Sequence, residues 1–495
     1  MKRVWMALTF ASGTVVAGNA VADGASEIDI LKQQMAIQQQ QMQEMAASQK
    51  ALQAKLDALA AATPAATLPK EEAPASRSAL VVPTPGAGGH TLSARVLGAD
   101  VSLYGFVDVS VDSANNGKQH VYEVSSNESF LGVRGGKDLG STGVRAVFQI
   151  ETLAEVSGTP GAGSSLGSRN SFGGFETRYG SLLAGKYDTP YKASTALMDP
   201  FAGSVGDYNS IMGNTAGEGR AEFDYRMPHS IFYLSPNVYG FTINALYSPG
   251  QKLNNLGASV NSASNYAFPQ GELVCSGSQE PSLNGATPNS TGSGATSQTL
   301  CNDGAFKDAY SISLNYNRGP LTAVAAWERH KGVDRTSDAG GLVADEAAFK
   351  IAGSYLIPIG NQVSVIYEKF YRYGIPAVGN ERQRDGYYIS DVQDLTHGLD
   401  FMAAYAHAGQ TPGSPKFPGL PDAVDMYTAG LRYNFDKQIN VYVIGAYLAQ
   451  QAGAHYGLGA GEGHGTPVLS PRTTGGGPLP GLGLEATSVG FQIGF

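Results

Sequence analysis

The sequence predicts an all-β protein, a sixteen-stranded antiparallel transmembrane β-barrel that follows a short α-helical coiled coil. The 495-residue chain has 64 Gly, and only 15% of its residues are charged. After the N-terminus no apolar run is long enough to cross a bilayer as a helix, so a closed barrel is the remaining way to satisfy a spanning backbone. From residue 100 onward, segments of about ten residues alternate apolar and polar side chains between turn signals.

Residues 1–22 have the features of an export signal. Lys2 and Arg3 supply the positive start, a mostly apolar segment follows, and Ala20-Val21-Ala22 has the small-residue pattern of a cleavage site. The apolar segment is too short for a spanning helix, and the alternative is a helix lying in the membrane interface. Cleavage predicts that the mature chain acts outside the cytoplasm.

Residues 23–62 have the pattern of a coiled coil, which export would place in the periplasm. With heptad position a at Ile28, eight of the ten a and d positions up to Leu59 are apolar. Such a seam needs partner chains to bury it, and Gln38 and Gln49 within it would fix the register. The alternative is one long amphipathic helix lying on the barrel. Residues 63–99, rich in Pro, Ala and Gly, are the predicted linker.

Residues 100–495 are the predicted outer-membrane barrel. Val107 and Val109 share one strand face and Asp108 and Ser110 the other, and the same alternation recurs to the end of the chain. In a soluble sandwich the apolar face would point to a core, whereas in a barrel it points to lipid and the polar face lines water. The export signal and the aromatic strand ends favour the barrel.

The spacing of turns predicts the layout of that barrel. Short turns at 137–140, 236–237 and 435–437 alternate with long connections at 156–168, 189–221, 249–306, 409–423 and 451–483. Short turns on one side and long loops on the other are typical of bacterial barrels. These segments predict sixteen strands between residues 100 and 495. The alternation of apolar and polar residues is weakest in 385–392 and 399–408. An even count places both barrel ends on the periplasmic side.

Cys275 and Cys301 both fall in the longest connection. In an oxidising compartment two cysteines favour one disulfide that closes the loop, and the alternative, a metal site, would have only two thiols and no nearby His. The net charge of −9 argues against a nucleic-acid partner, which would need a basic surface. No cofactor is expected.

Five stretches occur in the order of a known family. They are Val-Ser-Leu-Tyr-Gly at 101–105, the Gly-rich hairpin at 129–151, the strand at 180–190, the hairpin at 230–241 and the terminal Phe495. Together they resemble the general diffusion porins of Gram-negative bacteria, especially the trimeric porins of β-proteobacteria. The coiled coil lies outside this resemblance.

The resemblance implies a homotrimer in the outer membrane, surrounded by lipid and lipopolysaccharide. It also implies that the barrel-assembly machinery recognises the chain through Phe495. Each barrel would be a water-filled channel for ions and small hydrophilic solutes. Its third long loop, residues 189–221, would fold into the lumen as a constriction loop, with acidic groups facing basic groups on the wall. Such a field selects solutes by charge and hydration.

Seven charged residues are the predicted constriction. On the loop and wall they are Asp199, Asp207, Glu218, Arg134, Arg145, Lys186 and Arg226. Lys186 faces the lumen only if its strand contains a bulge or ends there. Phe130 departs from the family, whose members often carry Arg at that position, and this suggests a less cationic wall.

Two other functions are weighed against diffusion. A structural or adhesive protein tethered through its coiled coil would use the long loops to bind partners. A barrel hydrolase would need a catalytic set, yet the chain has no Gly-x-Ser-x-Gly elbow and no His-Glu-x-x-His pair. The sequence therefore predicts a channel with no catalytic residues.

Overall fold

The computed structural model describes most of the chain from Leu92 to Phe495. It describes residues 92–115, 120–154, 156–157, 166–212, 223, 226–249, 306–334, 343–358, 360–375, 377, 380, 382–396, 398–413, 418–454, 456–459 and 481–495. The predicted signal peptide and coiled coil, most of the predicted linker, Glu218 and the predicted Cys275–Cys301 disulfide lie outside these residues and stay predictions.

Within the described residues, strands make up almost all of the regular structure. They are β1 (Leu92–Val96), β2 (Ala99–Asn115), β3 (His120–Ser126), β4 (Phe130–Asp138), β5 (Arg145–Leu153), β6 (Ser171–Thr177), β7 (Gly180–Asp188), β8 (Arg226–Leu234), β9 (Phe241–Ser248), β10 (Asp308–Arg318), β11 (Leu321–Asp334), β12 (Val343–Leu356), β13 (Asn361–Arg372), β14 (Arg384–Thr396), β15 (Leu399–Ala408), β16 (Val424–Asn434), β17 (Ile439–Gln450) and β18 (Leu484–Gly494). One short helix, α1 (Pro190–Ala193), and a 3₁₀ turn, Tyr208–Ser210, lie between β7 and β8.

The strands close into one antiparallel ring. From β4 onward each strand pairs with its neighbours in the chain, and β18 returns to pair with β2. β3 and β4 both pair with β2, through Val109↔Ser126 and Phe106↔Phe130, so they are two parts of one interrupted strand. β1 only extends the wall beside β2. Sixteen strands therefore cross the barrel, which confirms the predicted count, including the weakly alternating pair β14 and β15.

Opposite faces of the strands carry opposite chemistry, as the alternation predicts. The outer face carries exposed apolar side chains, and nine of them are between 44% and 57% exposed: Leu131, Leu182, Ile231, Ile312, Ile351, Val365, Ile389, Leu431 and Val489. The inner face carries many buried polar side chains, among them Ser110, Ser313, Glu328, Ser364, Ser390 and Thr428. A continuous apolar exterior of this kind needs a lipid neighbour, since soluble monomers rarely expose such a surface.

Aromatic side chains pair across neighbouring strands near both ends of the barrel. Toward the long connections the ring pairs include Tyr247–Tyr310, Tyr367–Tyr387 and Tyr405–Tyr427, and toward the short turns they include Phe241–Tyr316 and Tyr433–Phe435. Two such girdles flank the lipid-facing band of outer-membrane barrels. Within the described part of the chain, no helix has the length and apolarity to cross a bilayer.

The two ends of the barrel meet beside β2. Phe495 and Gly105 exchange two backbone hydrogen bonds of 3.0 Å, and the Phe495 ring occupies the space that a side chain at position 105 would fill. β1 then continues the line of β18, starting with Leu92 opposite Leu103. The turn between β1 and β2 contains Leu97 and Gly98, whose φ angles are 52° and 79°. The sequence predicts a linker where β1 lies, because five alternating residues are too few to distinguish a strand from a linker.

Candidate pore constriction

The connection between β7 and β8 folds into the lumen and attaches to the inner face of β10–β14. The Tyr191 amide donates to Ser311 Oγ at 3.0 Å, and the Ser390 hydroxyl donates to the Met198 carbonyl at 2.9 Å. Thr189 caps α1 by accepting a hydrogen bond from the Lys192 amide. The loop therefore starts its path along the wall immediately after β7.

Lys350 holds the first part of this loop from the wall side. Its ammonium donates to Thr195 Oγ1 at 3.1 Å and lies 4.2 Å from the centre of the Tyr191 ring. Glu368 is 3.9 Å from the same ammonium and accepts a hydrogen bond from the Tyr191 hydroxyl at 3.2 Å. All of these groups are buried, so the loop is fixed by charge-assisted contacts away from bulk water.

The middle of the loop crosses to the far side of the lumen. Gly206 lies against Thr428 of β16, and a Cβ at Gly206 would overlap the Thr428 methyl group. A Cβ at Gly203 would lie 3.6 Å from Glu128 Cγ, in the interruption between β3 and β4. The loop returns past Arg384, which donates to the carbonyls of Ile211 and Met212. It therefore spans the barrel interior.

The two described loop acids stabilise the fold of the loop itself. Asp199 accepts from the Phe201 amide at 2.9 Å and the Tyr388 hydroxyl at 2.9 Å. Asp207 caps the 3₁₀ turn and accepts from the amides of Asn209 and Gly203, both at 2.8 Å. Burial raises the pKa of Asp199 to about 6, although these hydrogen bonds favour its charged form.

The predicted basic residues lie at different heights in the barrel. Arg134 is on the inner face of β4, half-buried, with its guanidinium 4.8 Å from the centre of the Tyr104 ring. Arg145 lies at the end with the short turns, where it pairs with Asp100 at 3.1 Å and Asp138 at 3.2 Å. The register places Arg145 opposite the last residue of β4. Arg145 therefore lies at the rim and is not brought together with the loop.

Lys186 and Arg226 lie at the two strand ends that carry the loop. The register between β7 and β8 shifts between Gly185 and Tyr187, but the extra residue lies in β8, and Lys186 pairs with Ser171 of β6 in an unbroken register. The Lys186 ammonium donates to the Ser168 carbonyl, and an inward-facing Lys186 stays a prediction. Arg226 begins β8, and its Nε is 3.1 Å from Asp188 Oδ1 at the end of β7. Both cations are thus at the base of the loop.

Six charged side chains gather at this base, and we call them the loop-base cluster. They are Glu128, Glu151, Arg169, Asp188, Lys192 and Arg226. Arg169 lies 2.8 Å from Glu151 and 3.6 Å from Glu128, while Asp188 lies 3.6 Å from Lys192. Asp188 and Glu128 each lie within electrostatic range of Arg169, Lys192 and Arg226. Three carboxylates and three cations from the wall and the loop thus face one region of the lumen.

Glu128, Arg169 and Lys192 were not among the predicted site residues. Each lies in an interruption, a loop end or a short helix, where strand alternation gives no direction for the side chain. The Arg169 guanidinium lies 4.9 Å from the centre of the Phe130 ring. A neighbouring segment therefore supplies a cation where β4 carries Phe130. Among the described residues, no group of three or more His, Cys, Asp or Glu side chains is arranged to hold a metal ion.

A closed barrel with an apolar exterior, a polar interior and a charged loop inside its lumen defines a transmembrane channel. Residues 75–412 match the family described as Gram-negative porin, and the chain belongs to that family. The protein is therefore an outer-membrane porin, as its sequence predicts.

Several relatives share sequence with the chain, and solved structures share its fold. The chain is 24% identical over 406 residues to the major outer membrane protein P.IA of Neisseria meningitidis serogroup A, which covers 72% of this chain and 91% of the relative. It is 29% identical over 177 residues to P.IB of Neisseria gonorrhoeae, covering 34% and 48%. The anion-selective porin of Comamonas acidovorans matches with a TM-score of 0.56 and 19% identity, covering 80% of this chain and all of that one. Salmonella typhi OmpF in complex with daunomycin matches with a TM-score of 0.52 and 13% identity, covering 82% and 100%.

Proposed function

We propose that the barrel is a water-filled channel through which ions and small hydrophilic solutes diffuse passively. The observation that carries the proposal is the position of the loop between β7 and β8. It is attached to the inner face of β10–β16, while the loop-base cluster keeps partly exposed Glu128 and Lys192 side chains on the other side. Partly exposed charge of both signs beside a narrowed lumen suits hydrated solutes. Diffusion needs no bond breaking, so the proposal includes no enzymatic activity.

The narrowest part of this channel is proposed to combine predicted and newly found residues. Arg134, Lys186 and Arg226 are its wall cations, together with the rest of the loop-base cluster. Asp199 and Asp207 act on it by holding the loop in shape, and Glu218 is a further predicted loop acid. Arg145, paired at the rim, would act on ions only at the mouth of the channel.

Conductance in planar bilayers tests the proposal. The purified protein should insert from detergent and give steady stepwise currents, and reconstituted vesicles should swell in small sugars but not in large ones. A protein that inserts without passing ions, or that stays dispersed without detergent, would exclude a diffusion channel. The sugar-size series also reports the width of the narrowest section.

We further infer that three copies assemble, with the coiled coil at residues 23–62 in the periplasm. The support is the apolar heptad seam, which needs partner chains, and the family resemblance. Deletion of residues 28–59 should leave single-barrel conductance intact and weaken the trimer in detergent. Loss of current from a folded barrel would instead assign the coil a part in conduction. Contacts with lipopolysaccharide, and with the assembly machinery through Phe495, belong to the same proposal.

A further inference from the structure

The strand formed by β3 and β4 is interrupted at residues 127–129. The Asn127 amide donates to the Asp108 carbonyl at 2.9 Å, and Ser129 Oγ both accepts from the Asp108 amide and donates to its carbonyl. Between them Glu128 has φ of 56°, in the left-handed region that a residue with a side chain rarely adopts. The neighbours therefore hold Glu128 in a conformation that its own backbone disfavours.

This conformation turns Glu128 into the lumen. Its carboxylate is 3.6 Å from the Arg169 guanidinium, and its Cγ lies close to Gly203 of the loop. The Glu128 side chain is 34% exposed, against 22% for Lys192 and 12% for Asp188. Arg169 and Glu151 are almost fully buried. Glu128 is thus the most exposed of these side chains of the loop-base cluster.

We propose that Glu128 is a specificity-determining residue of the channel and that its carboxylate favours cations over anions. The proposal rests on the proposed diffusion function, and it assigns one acidic residue to the narrowest part of the channel. The buried loop acids Asp199 and Asp207 accept hydrogen bonds within the loop, whereas Glu128 meets solute from the wall. A partly exposed fixed charge at a narrow section raises the local concentration of counterions.

Reversal potentials across a salt gradient test the proposal in the full-length protein. Glu128→Gln should lower the cation-to-anion permeability ratio about threefold, as expected for one unit charge a few ångströms from the ion path in a water-like dielectric. The matched control is Glu485→Gln, on the outer face, where an amide can still accept the 2.7 Å hydrogen bond from Asn115. It removes the same charge and should leave the ratio unchanged.

A second variant separates charge from backbone strain. Glu128→Gly removes the carboxylate and adopts positive φ without penalty, so it should fold at least as well and shift the ratio as far as Glu128→Gln. Conducting variants with the wild-type ratio would overturn the proposal and leave the diffusion function intact. Failure of both variants to form channels would also overturn it, because Glu128 would then be structural. A wild-type barrel without current would contradict the diffusion function itself.

Discussion

The two halves of the inner wall follow the same alternation but carry different side chains. Where the loop covers β10–β16, the apolar inward side chains Val324, Ala326, Ala348, Met402, Ala406 and Met426 belong to the cluster that includes Phe201 and Ile211, beside buried charged groups such as Lys350 and Glu368. Where β4–β8 surround the loop base, the inner face carries ion pairs such as Arg169–Glu151 and Arg226–Asp188. Alternation thus decides which residues point inward, and a buried apolar cluster forms where the loop covers them.

The difference also separates two kinds of charge. Lys350 and Glu368 are buried beneath the loop, where an ion pair is stable only because further groups satisfy it, here Thr195 and Tyr191. Glu128 and Lys192 keep contact with solvent and can therefore act on a passing solute. We therefore expect substitutions in the covered half to change stability and those at the loop base to change selectivity.

The largest effect is expected from Lys350→Ala. Removing the ammonium takes away a buried positive charge 3.9 Å from Glu368, which should destabilise the loop by about 3–5 kcal/mol. Thermal unfolding in detergent and protease sensitivity of the loop would report this loss. The double variant Lys350→Met with Glu368→Gln should recover much of it, since neither charge then remains buried. Equal instability of the single and double variants would show that the ion pair is not what fixes the loop.

A smaller loss is expected from Gly206→Ala. The added methyl group overlaps the Thr428 methyl group, and such overpacking costs about 1–3 kcal/mol. The loop should shift from β16, which single-channel recordings would register as brief closures and a changed step size. Thr428→Ser removes the opposing methyl group and should restore steady current in the double variant. Closures that persist in the double variant would place the cause elsewhere.

Two arginines at different heights provide a matched pair for selectivity. Arg226→Gln should shift the ion preference toward cations by about twofold to threefold, because it removes a cation from the loop base. Arg145→Gln removes the same charge from the rim and should leave the reversal potential nearly unchanged. Equal shifts for both variants would mean that the selective section includes the mouth, and no shift for Arg226→Gln would exclude the loop base.

The smallest expected effect is a pH dependence of the stability of the loop between β7 and β8. Because burial raises the pKa of Asp199 from its usual 3.8 to about 6, the folded loop binds this proton more tightly than an unfolded loop. The resulting stability is complete below pH 3.8 and is lost as the pH rises through about 6. Hydrogen exchange of the loop amides, corrected for intrinsic rates, should therefore quicken across this interval. Asp199→Asn should flatten the profile, and an unchanged profile would assign the dependence to another group.

Most of the barrel was predictable because the alternation of strand residues is a local property. Leu182 and Ile231 face outward and Ser110 and Thr428 inward as their patterns predict, and the short turns end the strands as expected. The β1 hairpin was not predicted, since its five residues give too short a pattern. The interruption of β3 and β4 was also not predicted, because it depends on hydrogen bonds to Asp108 on another strand.

The charged site was predictable only in part. Arg226 and Lys186 stand at the ends of the two strands that carry the loop, whereas the bulge beside them lies in β8 and was not predicted. Arg169 comes from the segment before β6 and reaches Phe130 across two strands, which no local pattern encodes. The roles of Asp199 and Asp207 within the loop depend on partners such as Tyr388, which lies 189 residues away in sequence.

The junction of β18 with β2 constrains the order in which the barrel can assemble. Nearly every other strand pairs with a neighbour in sequence, whereas Gln492 and Asp108 meet across a separation of 384 residues. The sheet can therefore grow hairpin by hairpin as an open ribbon, but its edges stay unpaired until the final strand arrives. Until then both edges expose backbone groups that a hydrocarbon environment cannot satisfy. Insertion and closure must consequently be completed together by the last eleven-residue strand.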